Sequence, residues 1–596
     1  MKEATVAQRY DVIVIGTGAA GALVAYSLAK KKVKVLLLEA GDAAPDERYR
    51  ESLVRQYEKS SSKAQVAPYI GFVAPQPNSS DSPQPANRQA GRDYYVEKNG
   101  TRSKLFLSFY QRMVGGAMWH WQGIVIRMVP NDFKMKTKYG VGRDWPIAYS
   151  DLEPWYVEAE HEMGVAGDSV EADNVHGAFR SKAFPMPEIP LSYGDRLFRK
   201  ALAKTSLRGI PIQITSTPQA RNSIGGYDGR PACEGYSSCV PLCPTRAKYE
   251  SLFHIEKALR YGAELRAKSI VTRLEVDPVS GTVTRVVYRR WESANEESAS
   301  ARIVVLAANG IENPKLLLLS NQQQSAGVAN SSGLVGRFLM DHPLKVSYAL
   351  SREPVFPFRG PPSTAGIESF RDGGFRSERG AFRTSIRNDG WSFANGSPRG
   401  KDLTAGGEAN ENMMLGLNEG TLLEFVRTDG YIGKQLKERV THDMTRQILV
   451  YSAVEMLPDP ENRISVDWQQ LDPFGIPRPM IQFGINDYAR KGLAWASELH
   501  KLMFLSMGAR PEDIRLDLTD DPTGQDFGSG HIMGTTVMGE TPADSVVDRE
   551  CRAHHANNLF ILGSGVFPTG SAANPTLTIA ALALRAADSI RKQLSS

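Results

Sequence analysis

A chain of 596 residues, 41% hydrophobic and 23% charged, has the composition of a globular protein of several domains, which excludes disorder as its main state. The formal charge of +5, from 71 basic and 66 acidic residues with no Lys/Arg block, makes no case for nucleic acid. Four cysteines exclude a disulfide scaffold, yet three of them fall within eleven residues.

In chain order, the N-terminal MKEATVAQRYDVIVIG does not read as a signal peptide, because its apolar run leads into a glycine turn. No stretch approaches the ~20 apolar residues of a membrane-spanning helix. Read alone, the chain is expected in the cytoplasm. Next come a buried strand predicted over 10–15, a glycine turn over 16–21, a helix over 22–31 and a second strand over 34–39. Residues 55–100 are polar and rich in Ser, Pro, Gln and Asn, which reads as a long surface excursion. A strand is predicted over 302–310 and a helix over 311–319. Farther on, a strand is predicted over 447–457, a helix over 488–507, a buried strand over 559–562 and a long helix over 576–593. Apolar strands recurring near 305 and 560 point to one domain assembled from distant segments, with a second inserted between them.

Gly16-Thr17-Gly18-Ala19-Ala20-Gly21 fits GxGxxG between a strand and a helix, and Glu39 ends the next strand, 21 residues past Gly18. Such glycines let a pyrophosphate approach the helix N-terminus, where orphan N–H groups and the dipole favour negative charge. The Glu39 carboxylate suits a ribose. FAD and NAD both remain open on this evidence.

Cys233, Cys239 and Cys243 are spaced CxxxxxCxxxCP. Three thiols on one short loop suit a three-iron cluster, or a four-iron cluster with a foreign ligand. Free thiols, a disulfide with one thiol left over, and zinc with His254 are the other readings. Cys551 stands alone and reads as a small buried hydrophobe. Gly115 and Gly116 open a turn that leads to Trp119-His120-Trp121, where His120 taken alone reads as a packed core histidine. Near the C-terminus, His531 in HIMGT and Asn574 in SAANP are, by spacing alone, two unrelated polar residues. His554 and His555 read as exposed turn residues.

GTGAAG with Glu39, GGAMWHW, LAANGIENPKLLL, HIMGTTVMG and NLFILGSGVFPTGSAANPTLTIAALALRAAD together resemble the glucose–methanol–choline (GMC) oxidoreductase family over essentially the whole chain. The resemblance implies an α/β fold: a Rossmann-like FAD-binding domain built from discontinuous segments plus a substrate domain with an antiparallel sheet. The corresponding division puts the FAD domain at 1–130 and 221–344, the substrate domain at 131–220 and 345–525, and the catalytic pair in a closing segment at 526–596. That pair is a histidine in H-x-x-G-T and a His or Asn 43 residues later, here His531 and Asn574. Val271, Ala308 and Asn574 join Gly16, Gly18, Gly21, Glu39, Gly115, Gly116 and His120 as implied cofactor positions. His120 matches a histidine that carries flavin covalently in the related pyranose oxidases. Here it either does so or packs against a non-covalent flavin ring.

WHWQGIVIRMVPNDFKMKTKYGVGRDWPIAYSDLEPWY, LMDHP and LPDPENR further resemble the large subunit of bacterial membrane-bound sugar and sugar-acid dehydrogenases. That group implies FAD, a [3Fe-4S] cluster on Cys233, Cys239 and Cys243, a small subunit bearing an export signal, and a cytochrome c subunit. It also implies a place at the periplasmic face of the inner membrane, reached through a partner. Glu234 stands where some relatives have a second cysteine. The implied chemistry is oxidation of a carbinol of a sugar, polyol or sugar acid, with FAD as hydride acceptor, His531 as base and Asn574 orienting the hydroxyl. The alternatives are a pyranose-oxidase-like enzyme using O₂ and a flavoprotein electron-transfer subunit.

Overall fold

The computed structural model describes residues 9–42, 51, 94–97, 110, 112–119, 121–173, 176–236, 239, 243–293, 295–357, 360–388, 426, 430–472, 474–516 and 528–596. Two sheets organise it. The first is built on β1 (Arg9–Ile15) and β2 (Val35–Leu38), whose apolar side chains are buried on both faces. β3 (Ile214–Ser216) belongs to the second sheet. The first continues with β4 (Glu264–Arg266), β5 (Ser269–Val276), β6 (Val283–Arg290) and β7 (Glu296–Leu306). Its order is β4-β2-β1-β7-β6-β5.

β7 serves two partners in turn. Its polar first part, Glu296 to Ala299, pairs antiparallel with β6, while its apolar end runs parallel to β1, with Val304 opposite Ile13. Buried parallel strands need continuous apolar sequence, and the half-exposed antiparallel extension does not. This is why the strand starts at Glu296, earlier than the apolar run alone predicts, and stops at Leu306.

The second sheet is antiparallel, in the order β8 (Leu344–Leu350), β11 (Gln447–Val454), β10 (Phe382–Ile386), β9 (Ala365–Ile367), β3. The short β12 (Leu559–Ile561) returns to the first sheet, parallel to β7. The mixture of a parallel nucleotide-type sheet and an antiparallel sheet is the fold class expected.

Helix α1 (Ala19–Ala29) is buried on nearly every side. It is wedged between the first sheet, α3 (Leu252–Arg260) and the C-terminal α6 (Thr576–Ser595), which in turn packs on α2 (Tyr149–Met163). α4 (Asn309–Leu319) follows β7, and α5 (Asp487–Ser506) covers the antiparallel sheet. α1 begins three residues before the predicted start, because Gly18 already serves as its N-cap and accepts the N–H of Ala22 at 3.0 Å. α4 begins at Asn309, which adopts a left-handed φ of 77° and accepts the N–H groups of Ile311 and Glu312 through its own side chain. The predicted strand over 447–457 ends at Val454. The excursion predicted over 55–100 lies outside the described residues except at 94–97.

Gly21 is the tightest joint of the glycine turn. A Cβ there would meet the backbone oxygen of Gly16 at 2.0 Å. Gly21→Val is therefore expected to displace the turn, cost about 1–3 kcal/mol of stability and reduce flavin bound per chain more than half, read from visible absorbance after gel filtration. Full flavin content with an unchanged melting temperature would contradict this close approach.

Candidate active site

The nucleotide end of the site is the Gly16–Gly21 turn. Its helix has no side-chain cap and no acidic residue in the first turn, so its N–H groups and dipole stay available to an anion. A Cβ added at Gly18 would meet nothing within 4 Å, which leaves open space beside the Gly18 backbone. Gly115 donates its N–H to Thr17 Oγ1 at 3.0 Å, and a Cβ at Gly116 would lie 3.2 Å from the Gly18 Cα. The two glycine turns are thus brought together across about a hundred residues of sequence.

Glu39 is buried at the end of β2. Its carboxylate accepts from Thr17 Oγ1 at 2.7 Å, Thr17 N at 3.1 Å and Gly41 N at 2.9 Å. Burial pushes its pKa up, opposed by these hydrogen bonds and by Arg112. Ala308 follows the end of β7 beside Gly16, and β5, which carries Val271, is tied to Glu39 by Ser269 N–H to Glu39 O at 2.8 Å. His120 lies outside the described residues.

The chemical end of the site joins three stretches of chain. Met340 and Met533 exchange backbone hydrogen bonds at 2.9 Å in each direction, which sets His342 beside His531. Thr535 Oγ1 donates to the Gly310 carbonyl, docking the His531 stretch onto the start of α4 and hence onto the first sheet. The third stretch, 571–574, precedes α6.

His531 Nε2 lies 3.2 Å from Asn574 Nδ2, and His531 Nδ1 lies 2.8 Å from His342 Nδ1. His342 Nε2 is 2.8 Å from the Ser571 carbonyl oxygen. These contacts fix the protons. A carbonyl only accepts, so His342 Nε2 donates. His342 is fully buried, which brings its pKa down to about 4, so at neutral pH its Nδ1 is a bare acceptor. His531 Nδ1 must then donate to it, leaving His531 Nε2 proton-free and facing the amide donor of Asn574. Burial, and next any positive charge on the neighbouring His342 ring, hold the His531 pKa well below the ordinary histidine range. The result is a neutral imidazole with its lone pair turned toward an amide, an arrangement able to take a proton from a hydroxyl.

Two residues without an assigned role in the sequence complete this frame. Asp341 Oδ1 accepts the backbone N–H of His342 at 2.6 Å, His531 at 3.0 Å and Ser529 at 3.1 Å. Burial raises its pKa to about 7 against the pull of those groups. Ser571 adopts a left-handed φ of 53°, a costly conformation for a residue with a side chain, and its Oγ accepts the N–H of Ala573 at 2.8 Å. The only sequence signal for Asp341 and His342 was their place in LMDHP, which carries no spacing that links them to residue 531.

Cys233, Cys239 and Cys243 form no disulfide, with Cys239 and Cys243 buried and Cys233 half-buried. Burial raises the pKa of Cys239, and Arg221 and Lys248 oppose the shift. His254 does not reach toward them. Its Nδ1 is 2.8 Å from Tyr249 Oη and its Nε2 3.0 Å from Glu162, which removes the zinc reading. Among the described residues no three His, Cys, Asp or Glu side chains form a single-ion site. Cys551 is buried, as expected. His554, expected in an exposed turn, is half-buried and bonded to Ser545 Oγ at 2.9 Å, whereas His555 is exposed.

Comparison with known proteins gives the family. Residues 458–583 match the GMC oxidoreductase model and residues 11–67 the FAD dependent oxidoreductase model. The chain is 34% identical over 588 residues to the fructose dehydrogenase large subunit of Gluconobacter japonicus, covering 98% of each chain. It is 24% identical to the gluconate 2-dehydrogenase flavoprotein of Pantoea cypripedii, covering 98% of this chain and 94% of the other. Pyridoxine 4-oxidase from Mesorbium loti has a similar fold, with a TM-score of 0.58, 18% identity and coverage of 98% and 99%. Fold, site and relatives define an FAD-dependent oxidoreductase acting on CH–OH groups. The chain belongs to the GMC oxidoreductase family.

The buried neutral His342 has a measurable consequence. Between pH 6.5 and about 4 it is neutral in the folded chain and charged in the unfolded one. The unfolded state then binds more protons, so stability falls as pH falls through this window, by up to about 1.4 kcal/mol per pH unit. His342→Asn cannot charge. Between pH 6.5 and 4.5 it is expected to lose about 2 kcal/mol less than the wild type in urea unfolding, and an identical acid slope would contradict a neutral His342.

Proposed function

We propose that this chain is the flavoprotein subunit of a dehydrogenase that oxidises a carbinol of a sugar, polyol or sugar acid, with His531 as base and Asn574 as the group that orients the substrate hydroxyl. The observation that carries the chemistry is His531 Nε2 facing Asn574 Nδ2 at 3.2 Å. The substrate class rests on the likeness to a fructose dehydrogenase large subunit and a gluconate 2-dehydrogenase flavoprotein.

When bound, FAD supplies the hydride acceptor for the C–H bond. Asn574 Nδ2 donates to the substrate oxygen and holds the O–H toward His531 Nε2. His531 takes that proton as the C–H bond breaks, and becomes an imidazolium. His342 then matters a second time: its Nδ1 lone pair and the Ser571 carbonyl behind it draw charge away from His531 Nδ1–H. Asp341 keeps the backbone of both histidines in register through its three N–H contacts.

The relay reading rests on Cys233, Cys239 and Cys243. Their donor set, three cysteine sulfurs from one loop, would hold an iron–sulfur cluster of the [3Fe-4S] type. Such a group supplies one-electron exit for a two-electron oxidation. A cytochrome c subunit is the proposed acceptor, and a small signal-bearing subunit the proposed export partner, with the complex at the periplasmic face of the inner membrane. No helix among the described residues is long and apolar enough to cross a membrane, and attachment through a partner is part of this proposal.

Screening sugars, polyols and sugar acids with an artificial electron acceptor tests the substrate class. His531→Ala is expected to slow substrate-driven flavin reduction ~10²–10⁴-fold with FAD retained, and Asn574→Ala by less. A His531→Ala variant at wild-type rate would mean a different base. Cys239→Ser is expected to leave flavin reduction by substrate intact while slowing electron delivery to the acceptor. A wild-type protein prepared anaerobically with only trace iron would end the cluster reading.

A further inference from the structure

Two cations are buried between the flavin-side turn and the cysteine loop, and the chemistry above uses neither. Lys248 is 1% exposed. Its ammonium donates to the carbonyl oxygens of Trp119 at 2.8 Å, Trp121 at 2.8 Å and Cys239 at 2.9 Å, so all three of its protons are spent joining the Gly115–Trp121 region to the loop. Arg221 is also 1% exposed. Its Nη2 donates to the Gln122 carbonyl, one residue beyond the same turn.

The surroundings of Arg221 are unusual for a buried guanidinium. The groups that most strongly favour its charge are Cys239, Cys233 and Cys243, with Cys233 Sγ in hydrogen-bonding reach, and no carboxylate is among them. Its Nε and Nη1 make no hydrogen bond of ordinary geometry among the described residues. A buried charge without a counter-ion is costly, commonly several kcal/mol. Around Lys248 the one strong acidic neighbour is Glu250. Among the described residues, the acidic groups that most favour these two cations are thus Glu250 and the three cysteines.

We propose that Arg221 and Lys248 are the built-in counter-charges of a thiolate-bound iron–sulfur cluster on Cys233, Cys239 and Cys243, and that Lys248 in addition clamps the flavin-side turn to the cysteine loop. This rests on the cluster reading of the preceding section. The roles differ. Arg221 acts by charge, with the three cysteines as the groups that most favour it and Cys233 Sγ in hydrogen-bonding reach. Lys248 acts by charge and by geometry, since its three hydrogen bonds span the two segments. Net charge and hydrogen bonding around the sulfurs set the potential of such a cluster, so removing a cation makes it harder to reduce and weakens the hold of the loop on iron.

The test uses the full-length protein with its partners, comparing Arg221→Gln, Arg221→Lys and Lys248→Met by iron and flavin content per chain and by a potentiometric titration of the cluster followed by electron paramagnetic resonance. At the potential that half-reduces the wild-type cluster, Arg221→Gln is expected to show at least about a tenfold lower ratio of reduced to oxidised cluster, a shift of about 59 mV for one electron, with unchanged flavin. Arg221→Lys is expected to stay within about threefold of the wild type. Lys248→Met is expected to shift in the same direction and to release iron faster during gel filtration. Should Arg221→Gln load no iron while Arg221→Lys does, the counter-charge role is supported. If both lose iron with flavin retained, the role is the shape of the guanidinium and the proposal fails. An unchanged midpoint and iron content in Arg221→Gln would also overturn it. Absence of iron from the wild type is a different result: it removes the cluster itself, and this inference with it.

Discussion

The hydrogen bond from His342 to the Ser571 carbonyl is the contact on which the rest of the site depends, because its direction has no freedom. A carbonyl cannot donate, so one proton is fixed on His342 Nε2. Burial keeps that ring neutral, and each further proton position follows in turn: Nδ1 of His342 accepts, Nδ1 of His531 donates, and Nε2 of His531 is left bare. An isolated histidine would exchange freely between two tautomers, only one of which is a base at Nε2. Here a backbone atom held in a strained left-handed turn at Ser571 makes the choice.

That chain of contacts can exist only because the fold returns to itself. Residues 341–342, 531 and 571–574 come together through the Met340–Met533 backbone pair, the Thr535 contact with Gly310, and α6 starting directly after Asn574. Gly310 in turn belongs to the first turn of α4, which leaves β7 beside the Gly16 turn. The His531 end and the Gly16–Gly21 end therefore share one support. Close backbone approaches at Gly16, Gly21 and Gly310 make that support dense, and each of these would clash with a side chain.

The sequence revealed the parts made by local rules. Apolar strands at 10–15 and 559–562, the glycines of 16–21 and the Glu at position 39 all declare themselves through short-range pattern, and the parallel nucleotide-type sheet follows from them. The pairing of His531 with Asn574 was legible only through family resemblance, since 43 residues of separation say nothing about proximity. His342 stayed silent for a physical reason: its role is a relation to a ring 189 residues away and to a backbone carbonyl, and neither leaves a trace in composition or period. Lys248 was hidden differently. A lysine in TRAKYE reads as exposed because lysine is rarely buried without a partner, and its partners turn out to be three carbonyl oxygens. The predicted boundaries moved where side chains or caps intervened, as at Gly18 and Asn309.

The central claim is the protonation state of His531, and nitrogen NMR measures it directly. With ¹⁵N-labelled histidine in the resting enzyme at neutral pH, and the signal assigned through His531→Gln, the account predicts a protonated Nδ1 and a bare, pyridine-like Nε2. An imidazolium, or a proton found on Nε2, would contradict it.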